Sequence, residues 1–291
     1  MTRLPFLITT LALLAAGCGS SGAVGEGHVS DLVSTPTTGT ATTTLVGDGA
    51  GTAQMPLRVW LTSGEKVWPV TRMVPKTDGV GTAAMNAMLS GPTQTEATNG
   101  IGSTVPADTH LLGLSISGGT ATVDLSNEYE AGGGTLSMTM RLAQVVFTLT
   151  EFPTVKRVAF ELDGKAVTVF SGEGIILDRP QTRKDYEGMT PIIAVATPGY
   201  GEIVSSPAKV SGIANVFEAN VSVEILDANG KLLAKDFTTA TCGTGCWGDY
   251  TLDLPYQVSS RQKGTIVVHD DDAEGSGTYP HEVRIPVVLT P

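Results

Sequence analysis

Leu136-Ser-Met-Thr-Met-Arg-Leu-Ala-Gln-Val-Val-Phe-Thr-Leu-Thr-Glu151 decides how the first half of this chain folds. Ser137, Arg141, Gln144, Thr148 and Glu151 recur at spacings of four, three, four and three. That is the period of an α-helix and draws one polar stripe, with Leu136, Met138, Met140, Leu142, Val145, Val146, Phe147 and Leu149 around the rest. Val145 to Thr150 has β propensity, but a strand period would mix polar and apolar residues on both faces. Pro153 ends the helix. Upstream, Leu57 to Leu61 alternates as a strand does, and Val67 to Val74 is a second strand whose Pro69 places it at an edge. Thr82 to Leu89 reads as a short helix with Met85, Met88 and Leu89 on one face, stopped by Gly91-Pro92. Leu111 to Ser117 and Thr120 to Leu125 are strands joined at Ser117-Gly118-Gly119, and Val155 to Leu162 and Ala166 to Phe170 flank the Asp163-Gly164 turn. The order is β-β-α-β-β-α-β-β, an α+β unit in which two helices pack on a mixed sheet.

The second half is different in kind. Gln181 to Gly188 is polar and charged without apolar periodicity and reads as an interdomain linker. After it, Ile192–Val195, Ala208–Val210, Val221–Leu226, Thr251–Leu254, Thr265–Val268 and Glu282–Leu289 all look like strands. Asn229-Gly230 between Ile225 and Leu232 is a hairpin signal. Short strands with turns between, over about 100 residues, indicate an all-β sandwich of immunoglobulin type.

Composition narrows the function classes. Charged residues are 16% of the 291, the net charge is −11, and there are 35 glycines. An acidic balance with no clustered Lys and Arg argues against nucleic acid and against a polybasic membrane patch. Gly19 to about Gln54 is mostly Gly, Ser, Thr and Ala, too poor in large apolar residues to order itself, and reads as a flexible tether.

The start of the chain supplies an address. Arg3 precedes an apolar run, Leu4 to Ala16, broken only by Thr9 and Thr10 and too short to span a bilayer as a mature helix; it has the shape of a secretory signal. Leu14-Ala15-Ala16-Gly17-Cys18 resembles the lipobox of bacterial lipoproteins, with Ala15 where leucine is commoner. The resemblance implies cleavage after residue 17 and acylation of Cys18, with membrane anchoring through lipid on the extracytoplasmic face. Two or more acyl chains hold a protein stably where one does not. An ordinary signal peptide with a cysteine nearby is the alternative. The other two cysteines form Cys242-Gly-Thr-Gly-Cys246, which outside the cytoplasm reads as a disulfide. A zinc site would need two more ligands, for which His269 and His281 are the nearby candidates, without ligand spacing. A redox pair would more usually be Cys-x-x-Cys at a helix start.

Five pieces in order carry a further resemblance: Leu89-Ser-Gly-Pro-Thr93, Ile101-Gly-Ser-Thr-Val-Pro106, Thr109-His-Leu-Leu-Gly113, Ala121-Thr-Val-Asp-Leu-Ser126, and Val155-Lys-Arg-Val158 with Asp163-Gly-Lys165. Together they resemble the GerMN domain, named from the spore germination protein GerM, over about 57–172. Val204-Ser-Ser-Pro207, Val210-Ser-Gly212, Ala214 to Ala219, Asp227-Ala-Asn-Gly230 and Trp247-Gly-Asp-Tyr250 resemble the immunoglobulin-like domain that follows GerMN in many bacterial lipoproteins, over about 190–290. The expected organisation is a signal at 1–17, a tether at 18–55, a GerMN domain at 56–175, a linker at 176–190 and the immunoglobulin-like sandwich at 191–291. The resemblance implies interaction modules of the cell envelope, binding protein or cell wall, with no established catalytic site and no cofactor. The sporulation role of the families is not carried over to this chain.

Residues that could carry chemistry are few. There is no Gly-x-Ser-x-Gly elbow, no His-Glu-x-x-His and no phosphate loop. The four histidines are His28 in the tether, His110 beside a strand start, and His269 and His281 around an acidic loop. In that loop Asp270, Asp272, Glu274 and Gly275 hold places one, three, five and six of a calcium loop. The twelfth place is His281 where a bidentate Glu is needed, and strands flank it, so a solvated hairpin loop is the plain reading and weak calcium binding the alternative. Asp124, Glu128 and Glu130 read as a solvated loop, with Asp124 and Ser126 bonding backbone N–H groups in a turn. Trp60, Trp68 and Trp247 read as core or sheet-face packing, not sugar platforms. The expectation is a non-catalytic, lipid-anchored envelope protein that binds a protein partner or the cell wall. Its rivals are an enzyme or accessory acting on peptidoglycan or polysaccharide, and a lipoprotein carrying a small ligand.

Overall fold

The computed structural model describes residues 53–270 and 279–291. In the first module β1 (Gln54–Ser63) and β2 (Lys66–Pro75) form an antiparallel hairpin, and β1 also pairs with the two-residue β3 (Ile101–Gly102). The order β2-β1-β3 leaves Pro69 on an edge strand, where its missing N–H disrupts no ladder. α1 (Val80–Leu89) buries Ala84, Met85 and Met88 and stops before Gly91, whose φ of +70° is a left-handed conformation. A second short helix, α2 (Gln94–Thr98), is additional to the sequence reading. It is set by a capping box: Thr93 Oγ1 accepts from Glu96 N, and the Glu96 carboxylate accepts from Thr93 N.

The remaining strands build a second sheet in the order β4 (Leu111–Ser117), β5 (Thr120–Leu125), β6 (Arg157–Leu162) and β7 (Lys165–Ala166). β5 and β6 are parallel, bridged by α3 (Thr135–Leu149), while the other pairs are antiparallel. β8 (Val169–Phe170) and β9 (Ile175–Ile176) form a separate small hairpin. The fold is thus α+β and mixed, as expected. It has two sheets sharing α3 in place of one, because β1 takes β3 as its second neighbour and no strand bridges to β4.

The polar stripe of α3 is the least expected feature of the packing. Arg141 is 3% exposed, and Gln144 and Thr148 are fully buried. Buried polar groups need partners, and each has them. Arg141 donates to the carbonyls of Tyr129, Ala131, Gly132 and Thr104. Gln144 Oε1 accepts from both N and Oγ1 of Thr104, and its Nε2 donates to Trp60 O and Ser103 Oγ. Thr148 Oγ1 accepts from Trp60 N. The stripe therefore satisfies the backbone of β1 and of two loops that lack sheet partners there, while apolar residues on the other sides of α3 fill the core.

In the second module β10 (Ile193–Thr197), β12 (Ala208–Ala214) and β15 (Gly248–Leu254) form one sheet. β11 (Ile203–Val204), β17 (Glu282–Leu289), β16 (Gln262–His269), β13 (Asn220–Asp227) and β14 (Leu232–Thr239) form the other, in that order. Asn229-Gly230 turns between β13 and β14, with Gly230 at φ +80°. Inward residues such as Val221, Val223, Ile225, Ile266 and Ile285 are fully buried, as a two-sheet sandwich requires. Tyr250 Oη donates to Ala194 O across one sheet, and Tyr256, just beyond β15, ties that sheet to the other through its Oη bonds with the carbonyls of Val204 and Thr290.

The segment read as an interdomain linker has structure of its own. Gln181 pairs with Val158 through both backbone bonds, a 3₁₀ segment spans Arg183–Met189, and Tyr186 is 4% exposed beneath it. Thr182 and Asp185 cap that segment, and Arg179 holds the Asp185 carboxyl far below the usual carboxylate range. Polarity concealed this order, because the polar residues are spent on caps and ion pairs. Residues from Ala50 to Pro291 form one compact unit.

Candidate functional site

The two modules meet along a seam, and the cavities of interest lie in it. Thr71 Oγ1 on β2 donates to Ala196 O on β10, and Arg58 Nη1 on β1 reaches Asp249 Oδ1 at 2.6 Å; where the chain enters the second module, the Trp247 indole donates to Pro191 O at 2.7 Å. Gly201 lies so close to Thr95 of α2 that a Cβ there would come within 2.8 Å of the threonine methyl.

The C-terminal end of α3 organises the charges. Glu151 accepts from the Trp60 indole at 2.9 Å and pairs with Arg183 and, at 3.5 Å, with Arg58. Arg183 also donates to Phe147 O and Thr150 Oγ1, and its guanidinium lies over the Phe147 ring at 4.7 Å. Such an arrangement combines an ion pair with cation–π attraction and fixes the arginine's plane. On the other side, the loop closed by Cys242 and Cys246 carries Trp247 and leads into β15. Its backbone is held by Thr244 N to Val216 O and Gly245 N to Asn215 Oδ1.

Between these parts is a cavity of about 250 Å³ lined by Phe147, Arg183, Glu187, Ile213, Cys246 and Trp247, with Asp249 at its margin. A wider groove of about 740 Å³ begins at the same Asp249 and runs past Arg58, Glu151, Glu202 and Lys209. The smaller cavity joins aromatic and aliphatic residues, Phe147, Trp247 and Ile213, to the charged Arg183, Glu187 and Asp249, while the wider groove is lined mainly by charged and polar side chains.

The structure distributes the residues singled out from sequence as follows. Cys242 and Cys246 are joined as a disulfide, Cα to Cα 5.7 Å. Asp270 accepts from His281 N and lies 2.6 Å from His281 Nδ1, so its carboxylate is engaged within the protein; Asp272 and Glu274 lie outside the described residues, as do Cys18 and His28. No group of three or more His, Cys, Asp or Glu side chains is placed to hold a metal among the described residues. His269 is buried, with Tyr279 stacked on it at 3.5 Å. His110 is exposed on the surface of the first module. Trp60 and Trp68 are buried and Trp247 is partly buried against the core, matching their expected packing role. Phe147, Arg183 and Glu187 were not singled out. The Thr182-x-x-Asp185 cap was the available sign that their neighbourhood folds.

Comparison with known proteins agrees with this architecture. A family described as "Sporulation and spore germination" matches residues 48–168, and one described as "Immunoglobulin-like domain of bacterial spore germination" matches residues 192–276. The chain joins a GerMN domain to a germination-type immunoglobulin-like domain. Among solved structures, the first GerMN domain of the sporulation protein GerM from Bacillus subtilis is similar at 24% identity, covering 45% of this chain and 99% of that one with a TM-score of 0.40. The tandem GerMN domains of the same protein align at 16% identity over 81% of this chain and 60% of that one, TM-score 0.41. No curated protein matches the chain.

Within the GerMN domain, Asp124-Leu-Ser126 acts as the sequence suggested. Asp124 Oδ1 accepts from Gly164 N and Ser126 Oγ from His110 N, clamping the β6–β7 turn and the start of β4 to the end of β5. Of the acidic cluster nearby, Glu128 is held below the usual carboxylate range by the Ser126 hydroxyl, and Glu130 is exposed. This cluster is structural capping at a domain surface.

Proposed function

We propose that this chain is a non-catalytic protein of the cell envelope that holds a partner through its paired GerMN and immunoglobulin-like domains, moored by lipid on Cys18. The observation that carries the reading is the seam: two domains of families described for sporulation and germination pack as one unit and leave, at their junction, a cleft built of binding groups. The Leu14–Cys18 sequence supports the mooring, and no helix among the described residues is long and apolar enough to cross a membrane. A protein partner suits the seam better than a small ligand, because the cavity of about 250 Å³ adjoins, through Asp249, an open groove of about 740 Å³ with charged walls, a surface that a chain segment can follow. A spore-specific role is not part of the proposal.

Two measurements test it. Replacing Cys18 by Ser should move the protein from the membrane to the soluble fraction, and unchanged retention refutes the lipid anchor. Photo-crosslinking in intact cells, with the crosslinker placed at several surface positions, should trap discrete protein adducts. Turnover of peptidoglycan or a polysaccharide by the purified protein, lost on changing one side chain, would replace the binding reading with an enzymatic one.

A further inference from the structure

The seam cleft has the dimensions and chemistry of a pocket for one side chain. Phe147 and Ile213, 3% and 5% exposed, belong to its lining, and with the Arg183 guanidinium over the Phe147 ring the apolar surface they offer is small and fixed by the cores of both domains. Its wall is Trp247 with the half-buried Cys246. Aromatic walls around a small, pre-formed hollow are where partners place anchor residues that dominate binding energy.

The rim decides what stands beside that anchor. Both arginines near the cleft are committed inside the protein: Arg183 to Glu151, Phe147 O and Thr150 Oγ1, and Arg58 to Glu151 and Asp249. Glu187, by contrast, lies exposed at the rim with its carboxylate unpaired among the described residues. Asp249 is shared with the wider groove, and its side chain is 64% exposed despite its ion pair. Among the residues that line the cavity the unpaired charge is therefore that of Glu187, on a chain of net charge −11; Lys66 Nζ is spent on Gly188 O, and Lys209 stands along the adjoining groove. A basic residue is the complement of such a rim, and complementary charge sets specificity more than raw affinity.

We infer that the cleft between the two domains receives an apolar, preferably aromatic, side chain of a partner protein, with an adjacent lysine or arginine meeting Glu187 and Asp249. This rests on the binding reading proposed above and adds the surface and the partner's chemistry.

The probe is a set of synthetic hexapeptides titrated into the ¹⁵N-labelled full chain: acetyl-Gly-Thr-Phe-Lys-Thr-Gly-amide, its Phe-to-Ala form and its Lys-to-Glu form. The Phe-Lys peptide is expected to move the Trp247 indole N–H resonance saturably. The Ala form should leave it in place, and the Glu form should bind severalfold more weakly, the scale of an exposed ion pair. In the Glu187→Lys protein the preference between Lys and Glu forms should reverse; Glu187 is exposed, so the substitution leaves the fold intact. Absence of a saturable shift with the Phe-Lys peptide, an equal shift with the Ala form, or an unchanged charge preference in Glu187→Lys each overturns the inference. In-cell crosslinking separates the two levels. Adducts formed from other surface positions but never from position 187 sink the cleft and spare the binding reading, whereas no adducts from any position sink the binding reading itself.

Discussion

Replacing Gln144 by methionine should destabilise the protein by about 1–3 kcal/mol, although methionine is apolar, similar in size and placed in a core helix. The side chain is fully buried and makes four bonds to nitrogen and oxygen: it accepts from Thr104 N (2.9 Å) and Thr104 Oγ1 (2.9 Å), and it donates to Ser103 Oγ (3.1 Å) and Trp60 O (3.3 Å), with Met88 Sδ a further, weak acceptor at 4.0 Å. Methionine offers none of the donors and only a weak acceptor. The two hydroxyls can rotate toward other partners and the carbonyl keeps a second lone pair, so the stranded Thr104 N–H carries most of the effect. One buried donor left unpaired costs about 1–3 kcal/mol, and partial losses at the other groups add to it. Hydrophobic transfer of the new side chain returns at most about 1–2 kcal/mol relative to a polar one. Urea denaturation of the purified protein would read the change as a lower midpoint, and the Thr104 amide should exchange with deuterium faster in the variant. A double-mutant cycle with Thr104→Val should show coupling of about 0.5–3 kcal/mol. If Gln144→Met proves as stable as the parent and Thr104 stays protected, the buried stripe is not what holds the 103–104 loop to β1.

Three further outcomes are expected. Burial pushes the Glu96 carboxyl up, but the paired bonds from Arg72 (2.7 Å each) and the Thr93 cap outweigh it and leave it below its ordinary 4.5; its contribution is therefore present above about pH 4.5 and lost as pH falls through the lowered value, so Glu96→Gln should cost roughly 2 kcal/mol at pH 7 and flatten the acid side of a stability-versus-pH curve. Cys242→Ser with Cys246→Ser should lower stability by about 2 kcal/mol, the chain-entropy value for so short a loop, and shift Trp247 emission to the red; reducing agent should reproduce both effects in the parent and neither in the variant. Gly212→Ala would put a Cβ 1.8 Å from Ala194 O and 2.7 Å from Tyr250 Oη, so it should cost about 3 kcal/mol or more in a thermal melt, while Gly172→Ala, with open space and no left-handed backbone, should change the melt by less than about 0.5 kcal/mol.

Elements whose signal is periodic were legible in the chain. The α3 stripe gave its helix to within two residues at each end, the alternation of Val221, Val223 and Ile225 gave β13, and Pro69 marked an edge. What escaped had no period to read. β3 and β11 are two residues each and exist only because β1 and β17 offer them a ladder. α2 has only Thr93-Gln-Thr-Glu96 to announce it, a capping signature that stands directly after the helix-ending Gly91-Pro92. The burial of Arg141, Gln144 and Thr148 could not be inferred from α3 alone, because it depends on which unpaired carbonyls and amides lie opposite. The seam was hidden for the same reason: Arg58 and Asp249 stand 191 residues apart, and nothing local in either strand names the other.

Because Gln181 is stitched to Val158 and Trp247 to Pro191, the chain between the domains has little slack with which to swing. The two domains therefore present their outer surfaces at a constant spacing and bearing, like the fixed jaws of one rigid body, and the groove that crosses their junction keeps its shape.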